Sequence, residues 1–278
     1  MTIVFISDFF KRDILGGGEI CDDILKRKLS ENFIVEEIRS HECTVSFLKD
    51  RAYELFIISN FVNLSEDCKT FLVNNTRYII YEHDYKFLKS RNPQLFENMK
   101  AKDSDIINRS FYEKSSMIIC QSDLQAEIFK INLGTSNIAS IGVNFWDDSS
   151  FELMKEMSRK EKKNKTAILK SENWIKNQRG AEAFCLGNYF RFEVISDSNY
   201  ENFLRKLGEF ESFVFLPLSP ETFSRTCAEA RMMNVKVYAS ENVGFLNETW
   251  QKGLFGSDLI NEIKERSRRA FSLFESFA

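Results

Sequence analysis

Two carboxylates eight residues apart, Glu221 and Glu229, lie where an apolar run at Phe213–Leu216 passes through a short Pro-containing loop into a helical pattern over Thr222–Met233. Read as one helix, that spacing sets the second carboxylate about two turns below the first, ~12 Å along the axis. A glycosidase pair flanks one bond across ~5–9.5 Å, so these two are too far apart for that work. They suit the two ends of an extended ligand. Between them the amides of Phe223, Ser224, Arg225 and Thr226 fall at the expected helix start, where unpaired N–H groups and the helix dipole hold a phosphate. The Arg225 guanidinium adds a fork of donors for the same anion.

Three further segments carry residues of chemical interest. Gly16-Gly17-Gly18-Glu19 follows the first apolar run and precedes a helical pattern; glycine there lets backbone approach a ligand with no Cβ in the way. His83 and Asp84 close the run Tyr78–Glu82. Lys176, with Arg179 three residues on, follows the run Ala167–Leu169. The D-x-D at Asp103–Asp105 is of the kind that holds a divalent metal, but no strand leads into it and it reads as a solvated loop. Asp22-Asp23 and Asp147-Asp148 read as a helix face and a turn. With two histidines, His41 and His83, and six scattered cysteines with no C-x-x-C pair, a zinc or multi-histidine site is excluded.

These segments, in this order, resemble the GT-B glycosyltransferases, especially the retaining family 4. The resemblance implies that Glu221 touches the transferred sugar and Glu229 the nucleotide ribose, and that the Gly17–Gly18 turn approaches the donor diphosphate. It implies a hydrogen bond from His83 to a sugar hydroxyl and places Lys176 on the diphosphate. The stretch Glu229–Val237 is similar to the family's helix after the second glutamate, with Asn234 where glycine is usual; Ile141–Asn144 is similar to its crossing between domains. After the first strand of the second domain the family carries Gly-Arg and then Lys-Gly. Here Ser171 stands at the arginine and Asn177 at the glycine, so Arg179 or Arg225 is left to supply the second charge. Retention of anomeric configuration is implied, with a nucleotide-sugar substrate, UDP by default, and neither cofactor nor metal. The chain is also similar to small family-4-like enzymes of phages and marine bacteria.

The elements that must position these residues alternate. Short runs at Ile3–Ser7, Phe33–Ile38, Leu55–Ser59, Tyr78–Tyr81, Met117–Cys120 and Ile138–Ile141 are apolar without alternation, as parallel strands buried on both faces are. Helical spacing appears over Ile20–Leu29 and Ser122–Ile131. The cadence resumes with strands at Ala167–Leu169, Phe192–Ile195, Phe213–Leu216 and Val235–Tyr238, and with helices at Ala181–Leu186, Tyr200–Leu207, Thr222–Met233 and Leu259–Phe274. The expected fold is α/β, two Rossmann-like doubly wound domains facing a cleft. Residues 1–145 form the acceptor-side domain, 146–165 a charged linker, 166–258 the donor domain, and 259–278 a helix packing back on the first. In such sheets ligands bind beyond the carboxyl ends of the strands.

Composition sets the outer bounds. The 278 residues hold 43% hydrophobic and 28% charged side chains, a globular balance, with 27 phenylalanines implying an aromatic core. No apolar run reaches the ~20 residues of a membrane span, and Thr2–Ser7 lacks the basic flank and cleavage site of a secretory signal. A soluble, cytoplasmic protein is expected, with at most peripheral membrane contact. A net charge of −3 is a poor footprint for duplex binding, although the basic stretch Arg159–Lys165 leaves open transfer to DNA bases, the nearest alternative. A nucleotide-sugar 2-epimerase would need further acid–base residues. The alternative of another class is a non-catalytic nucleotide- or glycan-binding module. Acceptor and donor sugar are not readable from the sequence.

Overall fold

Runs of Ile, Val and Phe with no solvent exposure, such as Ile3–Ile6 and Phe56–Ile58, can be stabilised only with both faces covered, and they form the inner strands of a parallel sheet. The computed structural model describes residues 1–278, which divide into two units: residues 1–145 with 267–278, and residues 146–266.

The first unit holds β1 (Thr2–Ser7), β2 (Ile34–Arg39), β3 (Leu55–Ile58), β4 (Arg77–Glu82), β5 (Met117–Cys120) and β6 (Ile138–Ser140). All are parallel, in the order β2-β1-β3-β4-β5-β6. Its helices are α1 (Gly17–Leu29), α2 (Val45–Lys49), α3 (Glu66–Asn75), α4 (Arg109–Glu113) and α5 (Asp123–Leu133). The core is aromatic: Phe61, Tyr85, Phe87, Tyr112 and Phe129 are all buried, and the rings of Phe87 and Phe129 meet at 4.6 Å. All six cysteines are buried, and none is in a disulfide.

The second unit holds α6 (Asp148–Ser158), β7 (Lys163–Leu169), α7 (Gln178–Gly187), β8 (Phe192–Ile195), α8 (Tyr200–Gly208), β9 (Phe210–Phe215), α9 (Arg225–Met232), β10 (Lys236–Ala239) and α10 (Gly244–Asn247). Its sheet is parallel in the order β10-β9-β7-β8. The last helix, α11 (Gly256–Glu275), begins in this unit; its final residues belong to the first, where Phe271 stacks on Phe145 at 4.5 Å and Phe274 meets Tyr81 edge-on at 5.2 Å.

Both sheets reverse strand order once, between β1 and β3 and between β7 and β9. At such a reversal the connecting chains leave in opposite directions and open a crevice at the carboxyl ends. The residues singled out above follow β1, β4, β7 and β9.

Two expectations are corrected. The stretch 146–165 is no linker: α6 buries Phe151, Leu153, Met154 and Met157, and β7 begins at Lys163. The sequence looks like a linker because its basic side chains crowd the end of α6 and the start of β7. Four of the six are bonded within the unit, Lys160 to Glu156, Lys162 to the Met157 and Gly208 carbonyls, Lys163 to Glu209 and Lys165 to Glu193. The second correction is α9, which starts at Arg225 rather than Thr222. Glu221 pairs with Val243 as an isolated parallel bridge, and the Phe223 carbonyl accepts from the Phe245 amide at 2.7 Å, so the chain is held out of the helix until Ser224.

Candidate active site

In the second unit, Lys176 ends a 3-10 turn after β7. The turn is fixed to the loop after β9 by two bonds, Leu218 N–H to the Ile175 carbonyl and Asn177 Nδ2 to the Leu216 carbonyl, each 2.8 Å. The Lys176 ammonium thereby reaches both Glu221 oxygens, at 2.7 and 2.8 Å, and lies 5.7 Å from the Phe215 ring centre. Glu221 is itself pinned through its backbone: its amide donates to Asn242 at 2.7 Å and its carbonyl accepts from Gly244 at 3.1 Å. Both partners of the ion pair stay partly exposed. A half-exposed lysine held by a single carboxylate is a cation available to an incoming anion.

Glu229, on α9, is almost fully buried. Its Oε1 accepts from Trp146 Nε1 at 2.9 Å and from the Tyr200 hydroxyl at 2.6 Å, with an Arg225 nitrogen at 3.5 Å. Burial, and after it the Glu229 charge, push the Tyr200 phenol well up, so it remains a donor. Arg225 is correspondingly committed: its guanidinium lies 4.5 Å from the Trp146 ring centre and donates to the Tyr200 oxygen at 3.0 Å. The fork expected to face a diphosphate is folded against Glu229 instead. Ser224 and Thr226 flank Arg225 at the helix start, Ser224 with φ +74°. Glu221 is four residues before α9, so the two glutamates do not share a helix. Arg179, in the first turn of α7, is exposed.

Both positions where asparagine replaces the family's glycine adopt positive φ. Asn177 has φ +54° and caps α7, its side chain accepting from the Gly180 amide at 3.2 Å. Asn234 has φ +61° and closes α9: the Val235 amide reaches the Ala230 carbonyl at 2.8 Å and its own amide the Arg231 carbonyl at 3.1 Å, the two bonds of a Schellman motif. Asparagine is the residue that best tolerates this region after glycine, so backbone course is retained despite the changed residue.

In the first unit, Gly17 opens α1 and Gly18 passes directly over His83; a Cβ on Gly18 would stand 3.2 Å from the imidazole Cγ. His83 is not free on either nitrogen. Nε2 is 2.7 Å from Asp22 Oδ1, and Nδ1 meets the Gln121 side-chain amide. The expected bond from His83 to a sugar is therefore not prepared in this arrangement. Next to it Glu82, wholly buried, is paired with Lys86 and accepts from the Tyr112 hydroxyl at 2.5 Å, which anchors the chain entering the loop. Burial raises the Glu19 carboxyl above the usual carboxylate range. Asp103 is exposed and bonded to Arg109, and Asp105 shares its 3-10 turn.

Three residues of these clusters were not singled out by sequence, Gln121, Trp146 and Tyr200, and a fourth, Asp22, was read only as part of a helix face. Asp22 carries a signal, since it sits three and seven residues before the buried Leu25 and Leu29, on the apolar stripe of α1. The other three carry none; only folding brings them to His83 and Glu229.

No helix is long and apolar enough to cross a membrane. No family model and no curated protein matches the sequence. Solved structures do. HepE of Anabaena, in its complex with UDP and glucose, superposes with a TM-score of 0.53 at 15% identity, over 96% of this chain and 89% of that one. The catalytic domain of starch synthase IV from Arabidopsis thaliana, bound to ADP and acarbose, gives 0.57 at 7% identity, over 97% and 92%. A glycosyltransferase of Rickettsia africae gives 0.53 at 12%, over 98% and 88%. At such identities the likeness speaks for the fold, and the chain has the fold of the GT-B glycosyltransferases, two Rossmann-like domains with parallel sheets.

Proposed function

We propose that the protein is a cytoplasmic glycosyltransferase that moves a hexose from a nucleoside-diphosphate sugar, UDP by default, to an acceptor, with retention and without a metal, in the manner of family 4. The observation that carries this reading is Lys176, held by Glu221 beyond the carboxyl ends of β7 and β9, where the second sheet reverses. Breaking the bond from the anomeric carbon to the phosphate oxygen builds negative charge on the leaving diphosphate. The Lys176 ammonium and the first-turn amides of α9, from Arg225 and Thr226 with Ser224 at the cap, are preorganised to stabilise it. Once the phosphate takes over Lys176, Glu221 is released to face the sugar. All three contacts to Glu229 fall on Oε1, which leaves Oε2 to accept the ribose hydroxyls. Exposed Arg179 is a better second cation for the diphosphate than Arg225, which is already committed. The roles that the family resemblance gives Gly17 and Gly18 belong to the same proposal; His83, engaged by Asp22 and Gln121, stands beneath that turn rather than on the sugar.

The test is thermal unfolding with UDP-, ADP- and GDP-glucose. A donor at one hundred times its Kd stabilises the folded chain by about 2.7 kcal/mol, so one of the three should raise Tm by several degrees. Absence of any shift with all three overturns the reading. A shift without sugar transfer or donor hydrolysis favours a binding module.

A further inference from the structure

His83 is surrounded on every polar edge. Nε2 faces Asp22 Oδ1 at 2.7 Å, and Asp22, 2% exposed, accepts from the Ser59 hydroxyl on its other oxygen. A carboxylate in such a place accepts, so the proton between the two belongs to Nε2. Nδ1 faces the side-chain nitrogen of Gln121, which can only donate, so Nδ1 presents its lone pair. The ring edge rests on Tyr81 at 4.3 Å between centres, and Gly18 passes over it. One imidazole thus joins α1, the end of β3, the end of β4 and the end of β5 beneath the Gly16–Gly18 turn.

We infer that Asp22 and Gln121 are positioning residues that hold His83 as the neutral Nε2–H tautomer with its Nδ1 lone pair occupied, so that His83 supports the glycine turn as a hydrogen-bonded strut and takes no proton from the acceptor. The inference rests on the proposed glycosyltransferase reading for its bearing on turnover, but not for the tautomer itself. For Nδ1 to act as a base, Gln121 would have to leave it. For the ring to become a cation, Gln121 would have to turn its amide oxygen inward. The charged groups around the ring are Asp22 and Glu19 from α1, with Glu82, Asp84 and Lys86 on the chain that carries it.

The chain has two histidines, so 15N spectroscopy of histidine-labelled protein resolves both, and His41→Gln assigns them. At pH 7.5 His83 is expected to show one protonated nitrogen, Nε2, and one unprotonated, Nδ1. Gln121→Glu, which replaces the donor by a carboxylate of the same size, should convert the ring to the doubly protonated form. Asp22→Ala should mix the tautomers and lower kcat for sugar transfer about tenfold or more, with Asp22→Asn, which keeps an acceptor, restoring both. A wild-type ring that is doubly protonated or carries its proton on Nδ1 overturns the inference. So does Asp22→Ala with one tautomer retained and turnover lost. Should Asp22→Ala fail to fold, the wild-type and Gln121→Glu spectra decide alone. The spectra need no substrate, so a failure of nucleoside-diphosphate sugars to stabilise the protein would count against the proposed activity and leave the tautomer assignment standing.

Discussion

Lys176 and Glu221 form a partly exposed cation–carboxylate contact beyond the ends of β7 and β9, and each alone should be indispensable to transfer. We expect Lys176→Ala and Glu221→Ala each to lower the rate of sugar transfer by about a hundredfold or more, as loss of a preorganised charge in an active site does, with circular dichroism unchanged. Their mutual bond is partly exposed, so its loss costs little stability, about 1 kcal/mol or less. Asn234 works mainly through the backbone, its side chain adding one exposed bond to the Ser158 carbonyl at 3.0 Å. Asn234→Ala should cost about 1 kcal/mol in chemical denaturation because a Cβ without a polar partner disfavours positive φ, while Asn234→Gly should be neutral or better. At this scale the sequence made Glu221, Glu229 and Lys176 visible, because spacing after a strand is local information. It misdirected Arg225, whose partners Trp146 and Tyr200 lie 79 and 25 residues away in the chain.

Among the elements, α6 shows how charge can hide a core helix. Phe151, Met154 and Met157 recur at three-residue spacing, the mark of one buried face, within a stretch whose later residues are mostly basic. Met154→Ala should therefore cost about 2–4 kcal/mol and lower the denaturation midpoint, where a linker residue would cost nothing measurable. The inner strands were legible because burial on both faces demands unbroken apolar runs, and Met117–Cys120 is as read from sequence. The start of α9 was not. Its first expected turn is held out of the helix by the bridge between Glu221 and Val243, a pairing across 22 residues that no local pattern records.

For the molecule as a whole, the β-α alternation announced two Rossmann-like units, and it was the resemblance to GT-B enzymes, not the alternation, that implied the return of the last helix to the first unit. Phe274 is fully buried against Tyr81 and Phe145, and Phe274→Ala should destabilise the first unit by about 3–5 kcal/mol, read as an earlier transition in guanidinium unfolding. The return has a consequence for synthesis. Residues 146–266 complete their own unit without residues 267–278, whereas the sheet made before them has its aromatic layer sealed only once residues 267–278 have also been made. The unit begun first is thus the later of the two to be completed.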